Sequence, residues 1–256
     1  MRLFATLLIY SVAILPTTAQ VQSLDAWWID NGADTAHTLG SSIVPVGDLN
    51  DDDLADFAAA TSSEKVLIYF GSTEPDTVPD LIIYSPDTSV YYFGHILYSL
   101  GDINGDGQGP DLGVRAYSGY MEYSIYIYWG GDCFDTDPDF ILMGPQDAHS
   151  SFGVRAAINC GDFNGDGWDD LAVGDPTYWI SGNPYIRGKI FLYYGGFQLD
   201  DEPDWTFQSS ADHDYVGMCL AAIGDYNSDG YADFVAGDAG CHLPGTNDKR
   251  GVILLF

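Results

Sequence analysis

The residues most able to do chemistry are Asp162, Asn164, Asp166, Trp168 and Asp170, which fall at positions 1, 3, 5, 7 and 9 of one short stretch. Alternating oxygen donors on a tight loop can all turn inward onto one hard cation, the seventh residue through its backbone carbonyl. Gly165 and Gly167 supply the permissive backbone such a turn needs. Left alone, three carboxylates a few ångströms apart repel by about 1 kcal/mol per pair even at high effective dielectric. Calcium is therefore the expected occupant. Magnesium fits less well, because it prefers a smaller octahedral shell and keeps its waters.

The stretch has three relatives in the same chain. Asp225, Asn227, Asp229, Tyr231 and Asp233 repeat it cleanly. Asp48, Asn50, Asp52, Leu54 and Asp56 repeat it with Asp53 where the later copies have Gly, and Asp tolerates a left-handed backbone better than most residues. Asp102, Asn104 and Asp106 follow the pattern until one extra residue precedes Asp111, which puts the last ligand of that copy in question. An EF-hand would close on a bidentate Glu at position 12 and lie between helices. Here position 12 is Val173, Ala236, Ala59 or, once the extra residue of the second copy is passed over, Val114, and β-type sequence flanks every copy.

The elements that must carry these loops repeat with them. The glycines that open the loops, Gly47, Gly101, Gly161 and Gly224, are spaced by 54, 60 and 63 residues, and an internal repeat governs the reading of a fold. Each unit opens on a bulky residue plus Gly: Leu39-Gly40, Phe93-Gly94, Phe152-Gly153 and Val216-Gly217. After the acidic loop comes a short apolar run, then a second one such as "KVLIYFG", "YSIYIYWGG" or "GKIFLYYGG", and in three units a last one opened by Pro-Asp. These runs are rich in β-branched and aromatic residues and are bounded by Gly, which predicts strands. Four short strands per unit make one blade of an all-β propeller of antiparallel four-stranded sheets. The repeats run over about 39–84, 93–142, 152–207 and 216–256, within a domain spanning 20–256. A spare outer strand is expected at 25–30, "DAWWID", and could close a four-bladed ring; alternatively the four repeats are part of a larger propeller.

The rest of the chain sets the setting. Arg2, the uncharged apolar stretch 3–15 and the small residues Thr17-Thr18-Ala19 read as a secretory signal peptide over 1–19, too short in its apolar part to span a membrane. Eight basic against 38 acidic residues give a net charge of −30, a field that repels nucleic acid and anionic membrane surfaces. Cys133, Cys160, Cys219 and Cys241 lack the short paired spacings of a zinc site and, in an exported protein, could form up to two disulfides of undetermined connectivity.

The units "FG…GDFNGDGWDDLAVG…GKIFLYYGG" and "VG…GDYNSDGYADFVAG…GVILLF" resemble FG-GAP repeats, the blades of the integrin α-subunit amino-terminal propeller and of exported bacterial proteins, over residues 39–256. The resemblance implies calcium in the loop between the first two strands of a blade, and a usual ring of seven blades, of which these four repeats would be part if they do not close a four-bladed ring. It also implies a binding scaffold for protein or glycan partners, without catalysis, at an extracellular location or on a cell surface. The Asp-Gly-rich style is closer to the exported prokaryotic members.

Three functions compete. The leading expectation is a secreted, calcium-stabilised adhesion or recognition module. The segment 176–187, with Tyr178, Trp179 and Tyr185, either presents an aromatic face to a ligand or packs between blades. The second is the propeller part of a carbohydrate- or lipid-active enzyme. For that, His37, His95, His149, His213 and His242 are the candidate bases, but no Gly-x-Ser-x-Gly elbow or phosphate-cradling loop accompanies them. The third is a purely structural surface or matrix repeat.

Overall fold

The computed structural model describes residues 39–74, 76–86, 89–118, 122–145, 148–180, 187–197, 199–209, 215–240 and 251–256. The expected signal peptide and the spare strand at 25–30 lie outside them, as do His37, Tyr185, His213, Cys241 and His242. The fold is all-β. Blade one is β1 (Leu39–Gly47), β2 (Asp56–Thr61), β3 (Lys65–Tyr69) and β4 (Leu81–Tyr84), hydrogen-bonded in that order. Blade two holds β5 (Val90–Tyr91), β6 (Leu97–Gly101), β7 (Asp111–Ser118), β8 (Glu122–Tyr128) and β9 (Phe140–Met143). After β10 (Ala148–His149) comes blade three, with β11 (Ala157–Gly161), β12 (Asp170–Asp175), β14 (Lys189–Tyr193) and β15 (Trp205–Gln208); β13 (Trp179–Ile180) pairs with β10. Blade four is β16 (Cys219–Gly224), β17 (Asp233–Asp238) and β18 (Val252–Leu255). These strand pairings are all antiparallel, and the whole is a four-bladed β-propeller.

The short strands β5 and β10 are additions that the repeat pattern did not announce. β5 lengthens blade two by pairing Val90 and Tyr91 with Ser118 and Tyr117 at the end of β7. Two residues per strand are too few for a periodicity to register.

Each blade meets the next through its own core. Val46, Val66, Ile68 and Ile83 of blade one pack on Phe93, Leu97, Val114 and Tyr128 of blade two. Leu100, Ile125 and Ile127 of blade two then meet Phe152, Val173, Phe191 and Tyr193 of blade three. Cys160, Ile190 and Leu192 carry the pattern to Val216, Phe234 and Ala236 of blade four. A second strand such as β12, covered on both faces, is buried along its whole length, so its sequence is continuously apolar between its two aspartates and does not alternate. Burying one such side chain contributes about 1.5–3 kcal/mol, so these boundaries hold the blades together.

The bulky-residue-plus-Gly opening now has a physical role. Phe93, Phe152 and Val216 are fully buried plugs in the boundary with the preceding blade. The glycine that follows adopts a left-handed φ, +66° at Gly153, and its N–H donates to the Gly174 carbonyl at 3.0 Å. The chain thereby turns from the plug into the first strand without strain.

Candidate metal centre

The four acidic loops sit at the same place in their blades, between the first and second strands. Every first strand carries a register shift immediately before its loop: Pro45/Gly47, Ser99/Gly101, Asn159/Gly161 and Ala222/Gly224. That bulge aims the loop out of the sheet. Within the loop, positions four and six are left-handed in all four copies. They are Gly105 and Gly107, Gly165 and Gly167, Ser228 and Gly230, and in the first loop Asp51 (φ 61°) and Asp53 (φ 68°). Asp53 thus takes the backbone conformation its glycine counterparts take.

The side chains wrap the loop from inside. Asp162 accepts the N–H groups of Gly165 (2.7 Å) and Gly167 (3.0 Å), and Asp225 those of Asp229 (3.1 Å) and Gly230 (3.0 Å). Asp48 accepts from Asp52 and Asp53, and Asp102 from Gly105, Asp106 and Gly107. Asp166, Asp229, Asp106 and Asp52 each accept the N–H of the seventh residue: Trp168, Tyr231, Gln108 and Leu54. The Asn amide at position three donates to the fifth-position carboxylate in the first three loops, as Asn164 does to Asp166 at 2.8 Å. Positions one, three and five are thereby gathered into one hydrogen-bonded cluster.

The ninth-position carboxylates do something the spacing did not reveal. Asp170 accepts the N–H groups of Phe163 (2.8 Å) and Asn164 (3.1 Å) with one oxygen and that of Gly195 (2.9 Å) with the other. Asp56 ties Leu49 to Gly71 in the same manner. Asp111, despite the extra residue before it, holds Ile103, Asn104 and Gly130, and so occupies the same place as its counterparts. Asp233 accepts from Tyr226 and Asn227. Each is a staple between the loop and its blade, with the Gly after the third strand as the far anchor in the first three. The signal was present in the repeated Gly that ends "YFG", "YWGG" and "YYGG". A parallel staple is the Asp of each Pro-Asp pair: Asp80, Asp139 and Asp204 accept the N–H of Phe70, Trp129 and Tyr194.

Burial pushes the Asp111 carboxyl up to about 7 and Asp170 to about 6; donated backbone N–H groups pull against this, while Asp102 and Asp166 add to it. Asp56 is raised by burial, with Asp48 and Asp52 adding to the rise. The loops therefore hold carboxylates in a place that disfavours unscreened negative charge.

The donor set at each loop is oxygen only, two carboxylates, an amide and a backbone carbonyl, with the ninth carboxylate behind them. Among the described residues no three Asp, Glu, His or Cys side chains converge closely enough to hold a metal by themselves, so the Asn and the carbonyl are needed to complete a shell. In the first loop the Asn50 side-chain oxygen is buried and has no hydrogen-bond partner. A buried acceptor left bare costs about 1–3 kcal/mol, and a hard cation satisfies it as well as a donor would. The residues fit calcium.

The other candidates fare differently. Tyr178 is buried against Phe191, ring centroids 5.9 Å apart, with the Lys189 ammonium 4.8 Å from its ring, so it packs within blade three and presents no face to a ligand. His95 stacks edge-on against Tyr92. Cys133, Cys160 and Cys219 are free thiols, so no two of them form a disulfide; Cys160 is buried, its Sγ directed at the Asp170 carbonyl.

Residues 157–191, from the start of β11 into β14, match the FG-GAP repeat family. This is an FG-GAP repeat protein. It is 26% identical to integrin alpha-5 of Xenopus laevis over 211 residues, which is 77% of this chain and 19% of that protein. It is 31% identical over 209 residues to phosphatidylinositol-glycan-specific phospholipase D of Bos taurus, covering 74% of this chain and 24% of the relative, and 33% identical over 167 residues to that of Mus musculus, covering 60% and 19%. The chain thus spans about a fifth to a quarter of the length of these relatives. What they share with it is an FG-GAP, integrin-like propeller.

Proposed function

We propose that this FG-GAP propeller is an exported calcium-binding module that recognises an extracellular protein or glycan. The bare, buried oxygen of Asn50, lying in a loop with Asp48 and Asp52, carries the calcium part. Recognition and an extracellular or cell-surface location rest on the similarity to integrin α subunits and on the strong negative charge, which disfavours nucleic acid and anionic lipid as partners. Calcium would be held by Asp48, Asn50, Asp52, the Leu54 carbonyl and Asp56, and by their counterparts in the other loops. There it would screen the crowded carboxylates and tie each loop to its blade.

The test is thermal unfolding in millimolar calcium, in excess chelator, and in magnesium. At a thousandfold excess over Kd one site adds about 4 kcal/mol, or roughly 8–16 °C for a domain of this size. A calcium-specific rise of that order supports the reading. Equal melting temperatures in all three would leave the loops as metal-free turns.

A second reading, the propeller part of a lipid-active enzyme, is favoured by the 31–33% identity to phosphatidylinositol-glycan-specific phospholipase D over 60–74% of this chain. Turnover of a phosphatidylinositol-glycan substrate by the purified chain would establish it. Calcium-dependent ligand capture without turnover would favour recognition.

A further inference from the structure

Position four of every acidic loop is left-handed, but that conformation alone does not call for glycine. Asp51 and Ser228 adopt it with side chains, both at a φ of +61°. At Gly105 and Gly165 a ring stands where a side chain would go. A Cβ on Gly105 would lie 2.6 Å from Cε3 and 2.8 Å from Cδ2 of Trp168, and one on Gly165 would run into Cε1 of Tyr231. Those rings belong to position seven of the following blade's loop. Position six has no such neighbour: a Cβ on Gly107, Gly167 or Gly230 would meet nothing within 4 Å. Glycine at position four therefore goes with a ring at position seven of the next loop. Where the next loop offers Gln108, position four is Asp51, and the Gln108 side chain lies against Gly131 instead.

Each ring is tied to both loops it joins. In its own loop the backbone N–H beneath it donates to the fifth-position carboxylate, Trp168 to Asp166 and Tyr231 to Asp229, both at 3.0 Å. Toward the preceding loop the Ile103 carbonyl accepts the N–H of Gly196 at 2.8 Å, and the Asp162 carbonyl accepts that of Ala232 at 2.9 Å. Phe197 backs the Trp168 ring edge-on, centroids 5.4 Å apart. Gly105 lies between Asn104 and Asp106, and Gly165 between Asn164 and Asp166, so each ring bears on the backbone between two candidate ligands of the neighbouring loop. We infer, resting on the calcium reading above, that Trp168 and Tyr231 are positioning residues that couple calcium uptake by loops two, three and four. A loop closed on its ion fixes its own position seven, and the fixed ring holds the preceding loop in the shape that binds, so the second ion is spared part of the ordering cost. The coupling runs equally in both directions, as any linkage between two sites must. Loop one, with Asp51 at position four and Gln108 facing elsewhere, titrates on its own.

The experiment is hydrogen–deuterium exchange of the full chain against free calcium, read by mass spectrometry on peptides that cover each loop. The unaltered chain is compared with Asp162→Asn/Asp166→Asn, which removes two charges from loop three while keeping acceptor oxygens in place, and both are repeated with Trp168→Ala. The expected result is calcium-dependent protection of all four loops. Disabling loop three should raise the calcium needed to protect loops two and four about fivefold or more, and leave loop one unmoved. With Trp168→Ala, loop two should no longer respond to the loss of loop three, while loop four still does; Trp168→Phe, which keeps a ring over Gly105, should restore the response. If Trp168→Ala disturbs the fold, Gly105→Ala serves, since it leaves the ring in the chain and puts a methyl beneath it. Loops that gain protection independently of one another would overturn the coupling and leave the calcium reading standing. A loop-two response that survives Trp168→Ala would overturn the role of the ring. Absence of protection from every loop would overturn the calcium reading and the coupling together.

Discussion

Blades three and four are built from almost the same sequence plan and differ in what surrounds them. Both open on a plug and a left-handed glycine, both run through an Asp-x-Asn-x-Asp loop, and both pair their second and third strands in the same register. Yet Leu192 is fully buried and Leu255, its counterpart, is half exposed. The strand pattern specifies which face of a blade is apolar; only the neighbour decides whether that face contributes to stability. An FG-GAP unit is thus two half-interfaces joined by a sheet, as expected of repeats that bury little on their own.

The sharpest way to break the comparison is to truncate both counterparts. Leu192→Ala should cost about 2–5 kcal/mol in urea unfolding, because it opens a cavity between blades three and four. Leu255→Ala should cost under about 1 kcal/mol at low protein concentration. Equal costs would mean that the blade-four face is covered in solution. Next come the staples, compared in excess chelator. Asp170→Ala removes the acceptor from three N–H groups, one of them on Gly195 across the blade, and should cost about 2–4 kcal/mol. Asp233→Ala loses only the loop-side pair and should cost about half as much, read by the same unfolding midpoints. Smaller still is the difference between Gly161→Ala and Gly224→Ala. Both residues have a left-handed φ, +77° and +67°, and share a strain of about 1–2 kcal/mol, but only Gly161 also drives a methyl into Ala232. The first variant should therefore be the less stable by about 1 kcal/mol.

How legible all this was in the sequence depended on the length of the signal. The four repeats, the strand order of each blade and the gathering of Asp, Asn and Asp in the loops could be read, because four copies of a long pattern reinforce one another. The role of Asp56, Asp111 and Asp170 as staples could not, since a carboxylate nine residues into a metal-type loop looks the same whether it faces a cation or a backbone N–H. The extra residue before Asp111 suggested displacement, but the loop absorbs it ahead of the strand and the carboxylate keeps its three partners. Tyr178 could not be assigned either, because an aromatic in a long connection reads the same packed or free until Phe191 and Lys189 are placed beside it.

The smallest effect tests the first loop against the third. Asp53 has φ of +68° where Gly167 has +97°, so Asp53→Gly relieves a left-handed side chain. The same change frees the unfolded chain, which costs about 0.4–1 kcal/mol. The N–H of residue 53 keeps its bond to Asp48 whatever the side chain. With these terms opposed, the net change in excess chelator should lie within about 0.5 kcal/mol of zero. A loss well beyond that would show that the Asp53 carboxylate, and not merely its backbone, holds the first loop in shape, and would separate that loop from the glycine-built copies in blades three and four.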